Sequence, residues 1–322
     1  TWYKINPNQE GFYKVNYPEE NLKQLKIQIE NQTIKPFDSW GIQNDIFTLA
    51  LLNQIPITQY LDFIKSYKNE SNVFVLEDIA ANMSFIYRLY SQELNWKRIN
   101  KKFYIHIKEP FEKAFQVLSW EPKNKETTNT THLRSLAISY LAFTQDQKII
   151  EEAFSKFKAF LKNPNNLHRD IKGPVLGIVG KYGNKEQYNQ LLKKYLITQN
   201  VEEKVKLLAS LYRPTNQNFL EKSLDFAISK NVRMQDLRTV FPVIASNPNS
   251  KPILFPWIKK RWNKLKEFKT ASFVFMSILE ALITSYTGKQ AEKEIKQFLN
   301  KQKVAFKKTQ ANSFEVANIN TN

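Results

Sequence analysis

LRTVFPVIASNPNSKPILFPWIKKRWNKLKEF, residues 237–268, is the stretch whose reading decides the fold. Leu237, Phe241 and Ile244 recur at intervals of four and three, which places them on one face of a helix. Asn247-Pro248-Asn249-Ser250 then breaks that helix, because a residue before proline is pushed out of the helical region and Asn and Ser favour turns. Ser250 is read as the N-cap of a second helix, with Pro252 in its first turn, where a missing N–H costs nothing. A kink is expected at Pro256, which comes too late for that exemption. The second helix stacks Leu254, Ile258, Trp262, Leu265 and Phe268 on one side and carries Lys259, Lys260, Arg261, Lys264 and Lys266 elsewhere. Neither helix can bury its apolar stripe alone, so the hairpin must pack on others like it.

Those others lie on both sides. From Pro18 onward the pattern is helical, over 19–29 and then from about Trp40, where Ile42, Ile46, Leu49 and Leu52 repeat and Asp38 is placed to cap. Pro56 opens a helix carrying Tyr60, Phe63 and Ile64, followed by long striped segments at 72–91 and 97–118, the latter containing Pro110. Residues 121–131 read as a polar surface loop. Helix pairs follow at 132–144 with 147–161 and at 170–182 with 185–195, and the pattern weakens only over 301–319. Units of roughly 30–45 residues recurring without strict identity predict a mainly α chain, an α-solenoid of HEAT- or armadillo-like helical hairpins.

Residues 1–17 read differently. Trp2, Tyr3, Lys4 and Ile5 form one expected strand and Phe12, Tyr13, Lys14, Val15, Asn16 and Tyr17 a second, around a turn at 6–11. A lone hairpin is marginal in water. The strands are therefore assigned to a sheet completed by other strands, with packing on the first helices as the alternative. The expected division is 1–17 as the end of a small β-domain and 18–322 as a helical domain. A chain that starts at Thr1 inside a strand is expected to be a fragment or processed product.

Composition narrows the chemistry. An apolar fraction of 42% with 23 Phe, 14 Tyr and 6 Trp supports a packed core, and only 7 Gly fits helices joined by short turns. No cysteine means no disulfide, no thiolate metal site and no Cys nucleophile. No run is long and apolar enough to span a membrane. A formal charge of +18 invites an anionic partner. The 48 basic residues, however, are spread opposite apolar stripes, as on solvated faces, so nucleic acid is not expected as a partner. His106, His132 and His168 lack ligand spacing, no HExxH, GxSxG or GxGxxG occurs, and Gly177 and Gly180 are read as allowing close helix packing. No catalytic set is visible.

Specific motifs then carry a resemblance. WYKINPNQEGFYKVNY (2–17) resembles the segment that ends the small β-domain of the aminopeptidase N family of zinc aminopeptidases, where W-(V/I)-K-x-N-x-x-x-x-G-F-Y-R-V-x-Y is typical. IKPFDSWGIQNDIFTLA (34–50) is similar to that family's P-x-D-R-x-x-L-x-x-D-x-F-x-L-A: Asp38, Asp45, Phe47, Leu49 and Ala50 match, and Ser39 replaces the usual Arg. YLDFIKSYKNESNVFVLEDI (60–79), DIKGPVLGIVGKYG (170–183) and residues 232–265 continue the likeness through the C-terminal domain, and archaeal tricorn-interacting factors and endoplasmic-reticulum aminopeptidases resemble the chain most.

The resemblance implies a bowl of HEAT-like hairpins closing over a thermolysin-like domain that carries the HExxH zinc site, a GxMEN motif and a transition-state Tyr, none of which this sequence contains. The expected function is thus the substrate-enclosing C-terminal domain of a zinc-dependent aminopeptidase, with zinc bound outside this chain and the chain alone inactive. The expected partners are peptides and the N-terminal and catalytic domains of the same enzyme. By the same resemblance Arg213 in LYRPTNQ matches a cavity arginine and Lys68, beside Tyr67 in SYKNE, a cavity lysine; Arg213, Lys68 and Tyr67 are the expected substrate-binding residues, the two cations suited to a peptide's terminal carboxylate. Another position basic in some relatives is Ser246 here. The rival reading is a stand-alone HEAT-like protein-binding scaffold. A cytoplasmic location is expected, while sequons at Asn31, Asn69, Asn82 and Asn129 leave an extracellular one open.

Overall fold

A computed structural model describes residues 1–91, 93, 95–286 and 288–319. Among these the chain is mainly α and divides into two compact units, 1–149 with 168–174, and 150–167 with 175 onward. The first contains α1 (Glu19–Glu30), α2 (Pro36–Leu51), α3 (Ile57–Phe63), α4 (Val73–Tyr90), α5 (Trp96–Leu118) and α6 (Thr128–Phe143). α7 (Gln147–Lys162) and α8 (Arg169–Tyr182) each begin in the first unit and end in the second. The second continues with α9 (Lys185–Ile197), α10 (Val201–Ser210), α11 (Gln217–Ala227), α12 (Leu237–Ser246), α13 (Lys251–Leu265), α14 (Ser272–Thr284), α15 (Lys289–Lys301) and α16 (Lys307–Ile319).

Within each unit alternate helices stack. In the first, α2 packs on α4 and α4 on α6. In the second, α10, α12, α14 and α16 follow one another in one row, and α11 meets α13 in another. This is the nearest-neighbour order expected of hairpins that bury their stripes on the next hairpin. Leu237, Phe241 and Ile244 of α12 and Leu254, Ile258, Trp262 and Leu265 of α13 are all buried, each burial contributing about 1.5–3 kcal/mol. Trp262 also meets Phe298 edge-on at 5.0 Å and Phe275 at 5.8 Å, which ties α13 to α14 and α15. In the first unit Tyr87, Trp96, Tyr104 and Phe143 form a similar edge-to-face cluster.

Several local expectations change. No strand forms in residues 1–17; a 3₁₀ turn at Pro7–Gln9 separates two irregular arms. Their hydrogen bonds go to side chains instead of a ladder. The Tyr3 N–H donates to Asn21 Oδ1 at 3.0 Å, the Asn21 amide donates to the Tyr3 carbonyl at 2.9 Å, and the Tyr17 hydroxyl accepts from the Ile5 N–H at 3.1 Å. With no neighbouring strands to pair, the segment lies against the first helices.

Asp38 is not a cap. α2 starts at Pro36, after Lys35, and Asp38 in its first turn accepts from the Asn8 N–H at 2.7 Å and pairs with Lys4 at 3.3 Å. Ser250 sits where an N-cap would, but its backbone is helical (φ −80°, ψ −22°) because a 3₁₀ turn, Pro248–Ser250, runs straight into α13. Its hydroxyl points back, donating to the Ile244 and Asn247 carbonyls at 2.7 and 2.8 Å and satisfying the end of α12. α5 continues through Pro110, and α13 through Pro256, where buried residues on both sides of the proline, from Ile253 to Leu265, outweigh one lost backbone bond. The sequon at Asn82 is structural. That side chain is buried in α4 and donates to Gln43 Oε1 and the Tyr60 hydroxyl at 3.1 and 3.0 Å.

Candidate functional site

The site is assembled by two glycines and an asparagine. A Cβ on Gly180 of α8 would fall 2.2 Å from the Ser210 carbonyl oxygen, so only glycine lets the last turn of α10 lie against α8. The chain leaves α10 as Leu211-Tyr212-Arg213-Pro214, and this contact delivers Arg213 to α8 one turn earlier, where a Cβ on Gly177 would sit 3.5 Å from its Nε. Asn247, from the turn between α12 and α13, fixes the segment from the other side. Its buried amide donates to the Tyr212 carbonyl at 3.2 Å and to the Pro214 carbonyl at 2.9 Å, bracketing Arg213. One side-chain amide thus satisfies two buried carbonyls that a loop would otherwise leave to water.

Arg213 is solvent-exposed, yet desolvation by the surrounding protein pushes its pKa below the ordinary guanidinium value. Exposure and desolvation together describe a side chain that water reaches from one direction with protein on the others. Among the described residues no carboxylate pairs with it. Lys181, one turn beyond Gly177 on α8, lies within electrostatic reach. Its ammonium is 4.9 Å from the centre of the Tyr182 ring, and its pKa falls to about 8, first through desolvation and second through Arg213.

Lys68 and Tyr67 occupy the first unit. Tyr67 is fully buried, and its hydroxyl donates to the Ser39 carbonyl at 2.7 Å. Lys68 pairs with Glu30 on the wall of an open groove of about 590 Å³ that also receives Lys26, Asp62, Lys65 and Glu109. Asp62 binds both Lys26 and Lys65, and the two hydrogen bonds lower its pKa. The groove is therefore lined by charges largely matched within it, unlike the surroundings of Arg213. At position 246 the Ser246 hydroxyl donates to the Val243 carbonyl at 2.8 Å.

Remaining candidate groups are structural in their contacts. His132 Nε2 lies 3.3 Å from Glu77, the Asp170 N–H donates to His168 Nδ1 at 3.3 Å, and the His106 side chain lies outside the described ones. Asp45 is buried, which raises its pKa, and lies 3.3 Å from Lys14. No group of three or more His, Asp or Glu placed to hold a metal exists among the described residues.

Sequence reasoning singled out Arg213 but missed Lys181 and Asn247. The signal for Lys181 was its helical register, four residues after Gly177 on the face that the glycines expose. Asn247 was read only as a helix breaker, and its reach to residues 212 and 214 is a tertiary fact.

Comparison with known proteins bears on what such a site serves. The model of the ERAP1-like C-terminal domain matches residues 2–318. "Aminopeptidase M1" of Arabidopsis thaliana is 26% identical over 330 residues, 100% of this chain and 37% of that protein. "Endoplasmic reticulum aminopeptidase 2" of Bos taurus is 24% identical over 304 residues, 92% of this chain and 31% of that protein. "Probable aminopeptidase 2" of Sulfurisphaera tokodaii is 23% identical over 281 residues, covering 87% and 33%. The chain spans about a third of the length of the curated relatives it matches.

Proposed function

The chain belongs to the ERAP1-like C-terminal domain family, and on that premise we propose that it is the substrate-enclosing part of a zinc-dependent aminopeptidase. In this reading residues 1–17 end a preceding β-domain and 18–322 form the helical domain. The hydrolysis of N-terminal residues, and the zinc that serves it, belong to another part of the enzyme; no cluster in the described residues suits that metal. The helical domain's contribution is to close around the peptide, exclude water from it and hold its C-terminal side.

One observation carries the last assignment: Arg213, a desolvated guanidinium open on one side and without a carboxylate partner among the described residues. A planar fork of N–H donors in such a place matches a peptide's terminal carboxylate, which it can bind through two parallel hydrogen bonds. Lys68 is the second proposed contact and would exchange Glu30 for substrate, while buried Tyr67 fixes the turn that presents it.

The test is kinetic. In the enzyme that contains this chain, Arg213→Ala raises KM for long peptides by about tenfold, the loss of a charge-assisted hydrogen bond. Dipeptide-like substrates, which do not reach Arg213, keep their rate constants. Equal losses on both would overturn the reading. Turnover of Leu- or Arg-anilides by the chain alone, with or without added zinc, would overturn the placement of the chemistry elsewhere.

A further inference from the structure

We propose that the last helices of the second unit carry a lysine-edged surface that binds acidic polypeptide segments, apart from the contact proposed for Arg213. Residues 251–310 hold 14 Lys and Arg against 4 Asp and Glu, and so more than half of the formal +18. Folding gathers part of that charge in one place and leaves it unpaired.

A row of rings does the gathering. Phe255 of α13 meets Phe298 of α15 at 5.5 Å, and Phe298 meets Trp262 at 5.0 Å. Trp262 then meets Phe275 of α14, and Phe275 meets Phe306 in the turn before α16, each at 5.8 Å. Cations border this row. The Lys259 ammonium lies 4.4 Å from the centre of the Phe255 ring and that of Lys269 5.9 Å from Phe275, so ring faces hold both heads at the edge of the row. Lys301 follows Phe298 by three residues and shares its side of α15. Lys307 and Lys308 follow Phe306 directly, and Lys303 lies in the turn between the two helices. All six lysines are exposed, and among the described residues none of them makes a salt bridge. Glu267, the carboxylate within 259–269, pairs with none of them, and nearby Asp225 is taken by Arg261 and the Trp257 indole N–H. Elsewhere the chain pairs its lysines: Asp62 bonds Lys26 and Lys65, Lys108 reaches Glu112 and Asp146, and Lys206 reaches Glu202.

The chemistry of the surface selects its partner. Its arginine, Arg261, is bound by Asp225 at 2.9 and 3.0 Å, so no free guanidinium is left to read a base edge. The five rings are buried or half-buried, and none offers a face on which a base could stack. The same burial leaves no ring to insert into a bilayer or to anchor in the pocket of a folded protein. What remains is a set of point charges on flexible stems, which bind carboxylates without demanding a fixed geometry. A flexible segment rich in Asp and Glu suits them: alternate side chains of an extended peptide recur about 7 Å apart, near the spacing of the rings that place the lysines.

Fluorescence anisotropy tests this on the intact chain with a labelled Glu-rich peptide and its Gln twin, both amidated at the C-terminus so that no terminal carboxylate takes part. The Glu peptide binds and the Gln twin does not, and affinity falls steeply between about 0.1 M and about 1 M salt as the Debye length shortens from about 10 Å to about 3 Å. Lys301→Gln, Lys303→Gln and Lys307→Gln together weaken binding about tenfold, the loss of three exposed ion pairs. Lys158→Gln, Lys162→Gln and Lys185→Gln together remove the same charge from exposed positions elsewhere in the unit and weaken it less than about twofold. Helical circular dichroism on each variant confirms the fold. Equal weakening by the two triple variants, or equal binding of the two peptides, overturns the site and leaves the reading of Arg213 untouched. Loss of Glu-peptide binding in Arg213→Gln would place the peptide at that residue and overturn the site as well. If polyuridine RNA or phosphatidylserine vesicles displace the labelled peptide at a lower concentration of negative charge than the unlabelled Glu peptide does, the surface is a phosphate site and the acidic polypeptide is overturned as its partner.

Discussion

Adding one methyl group to Gly180 tests the packing that places Arg213. A Cβ there would approach the Ser210 carbonyl oxygen to 2.2 Å and its carbon to 2.9 Å. Real Cβ contacts essentially never fall below 3.0 Å, so α8 and the end of α10 must separate by about 0.8 Å. The obstacle is backbone, which cannot rotate away as a side chain would. Overpacking of this kind costs about 1–3 kcal/mol. Alanine also gains about 1 kcal/mol over glycine in a helix, which would blur the result if Gly180→Ala were measured alone. Gly177→Ala is the control. It lies on the same helix, gains the same propensity, and meets only the Arg213 side chain, at ordinary distances of 3.5–3.8 Å. Neither glycine has positive φ, so alanine introduces no backbone strain at either. The difference between the two variants isolates the steric cost: about 1–3 kcal/mol by urea denaturation, or about 2–4 °C in Tm for a chain of this length. Equal stabilities would refute the claim that Gly180 sets the approach of α10, and with it the account of how Arg213 is placed.

Two further outcomes follow from side chains that act alone. Fully buried Arg134 donates to Glu126 Oε2 at 2.6 Å, and with Lys123 this holds the Glu126 pKa down to about 2. A carboxylate with a depressed folded pKa stabilises above its unfolded value of 4.5 and stops doing so as pH falls toward about 2. Wild type should therefore lose Tm steeply over that window, and Glu126→Gln, less stable at neutral pH because Arg134 is left buried without its counter-charge, should lose less of it there. Asn247→Ala strips hydrogen bonds from the Tyr212 and Pro214 carbonyls and should cost about 2 kcal/mol while reducing discrimination between acid and amide peptides. Unaltered discrimination in a folded Asn247→Ala protein would separate Arg213 from its bracket.

Most helices were legible because their evidence is local. The stripe from Leu254 to Leu265 is written at helical spacing, and every member of it is buried. Polar caps were harder, since the same residue types serve several ends. Ser250 and Asp38 each look like caps in sequence, but the 3₁₀ turn before α13 and the early start of α2 at Pro36 redirect both side chains. Residues 1–17 show the converse error. Alternating Tyr, Phe and Val encode a wish to pair, but pairing needs a neighbour, and Asn21 and Tyr17 supply hydrogen bonds that a ladder would otherwise give. Arg213 was legible only through resemblance. Nothing local distinguishes it from the other basic residues of a chain with charge +18; its surroundings do.

Those surroundings cost the folded chain something. Arg213 and Lys181 give up hydration and repel each other, and both pKa values are displaced against protonation. A fold selected for stability alone would place a carboxylate beside the Arg213 guanidinium, as Asp225 lies beside Arg261 at 2.9 Å and Glu126 beside Arg134. The same chain solves the problem repeatedly elsewhere, bonding Asp62 to two lysines and Lys108 to both Glu112 and Asp146. Leaving it unsolved for a guanidinium that two glycines and an asparagine hold in place is what the proposed binding role predicts, with local stability given up for an available charge. On this view, stability and binding at the site oppose each other. Arg213→Gln, the variant proposed to weaken carboxylate binding, should leave the ligand-free chain as stable as wild type or more so near neutral pH. Raising pH above about 8 should likewise stabilise the free chain, because unfolding then takes up the proton that folded Lys181 has lost. If that substitution instead destabilises the free chain, the guanidinium is structural and the site reading loses its energetic basis.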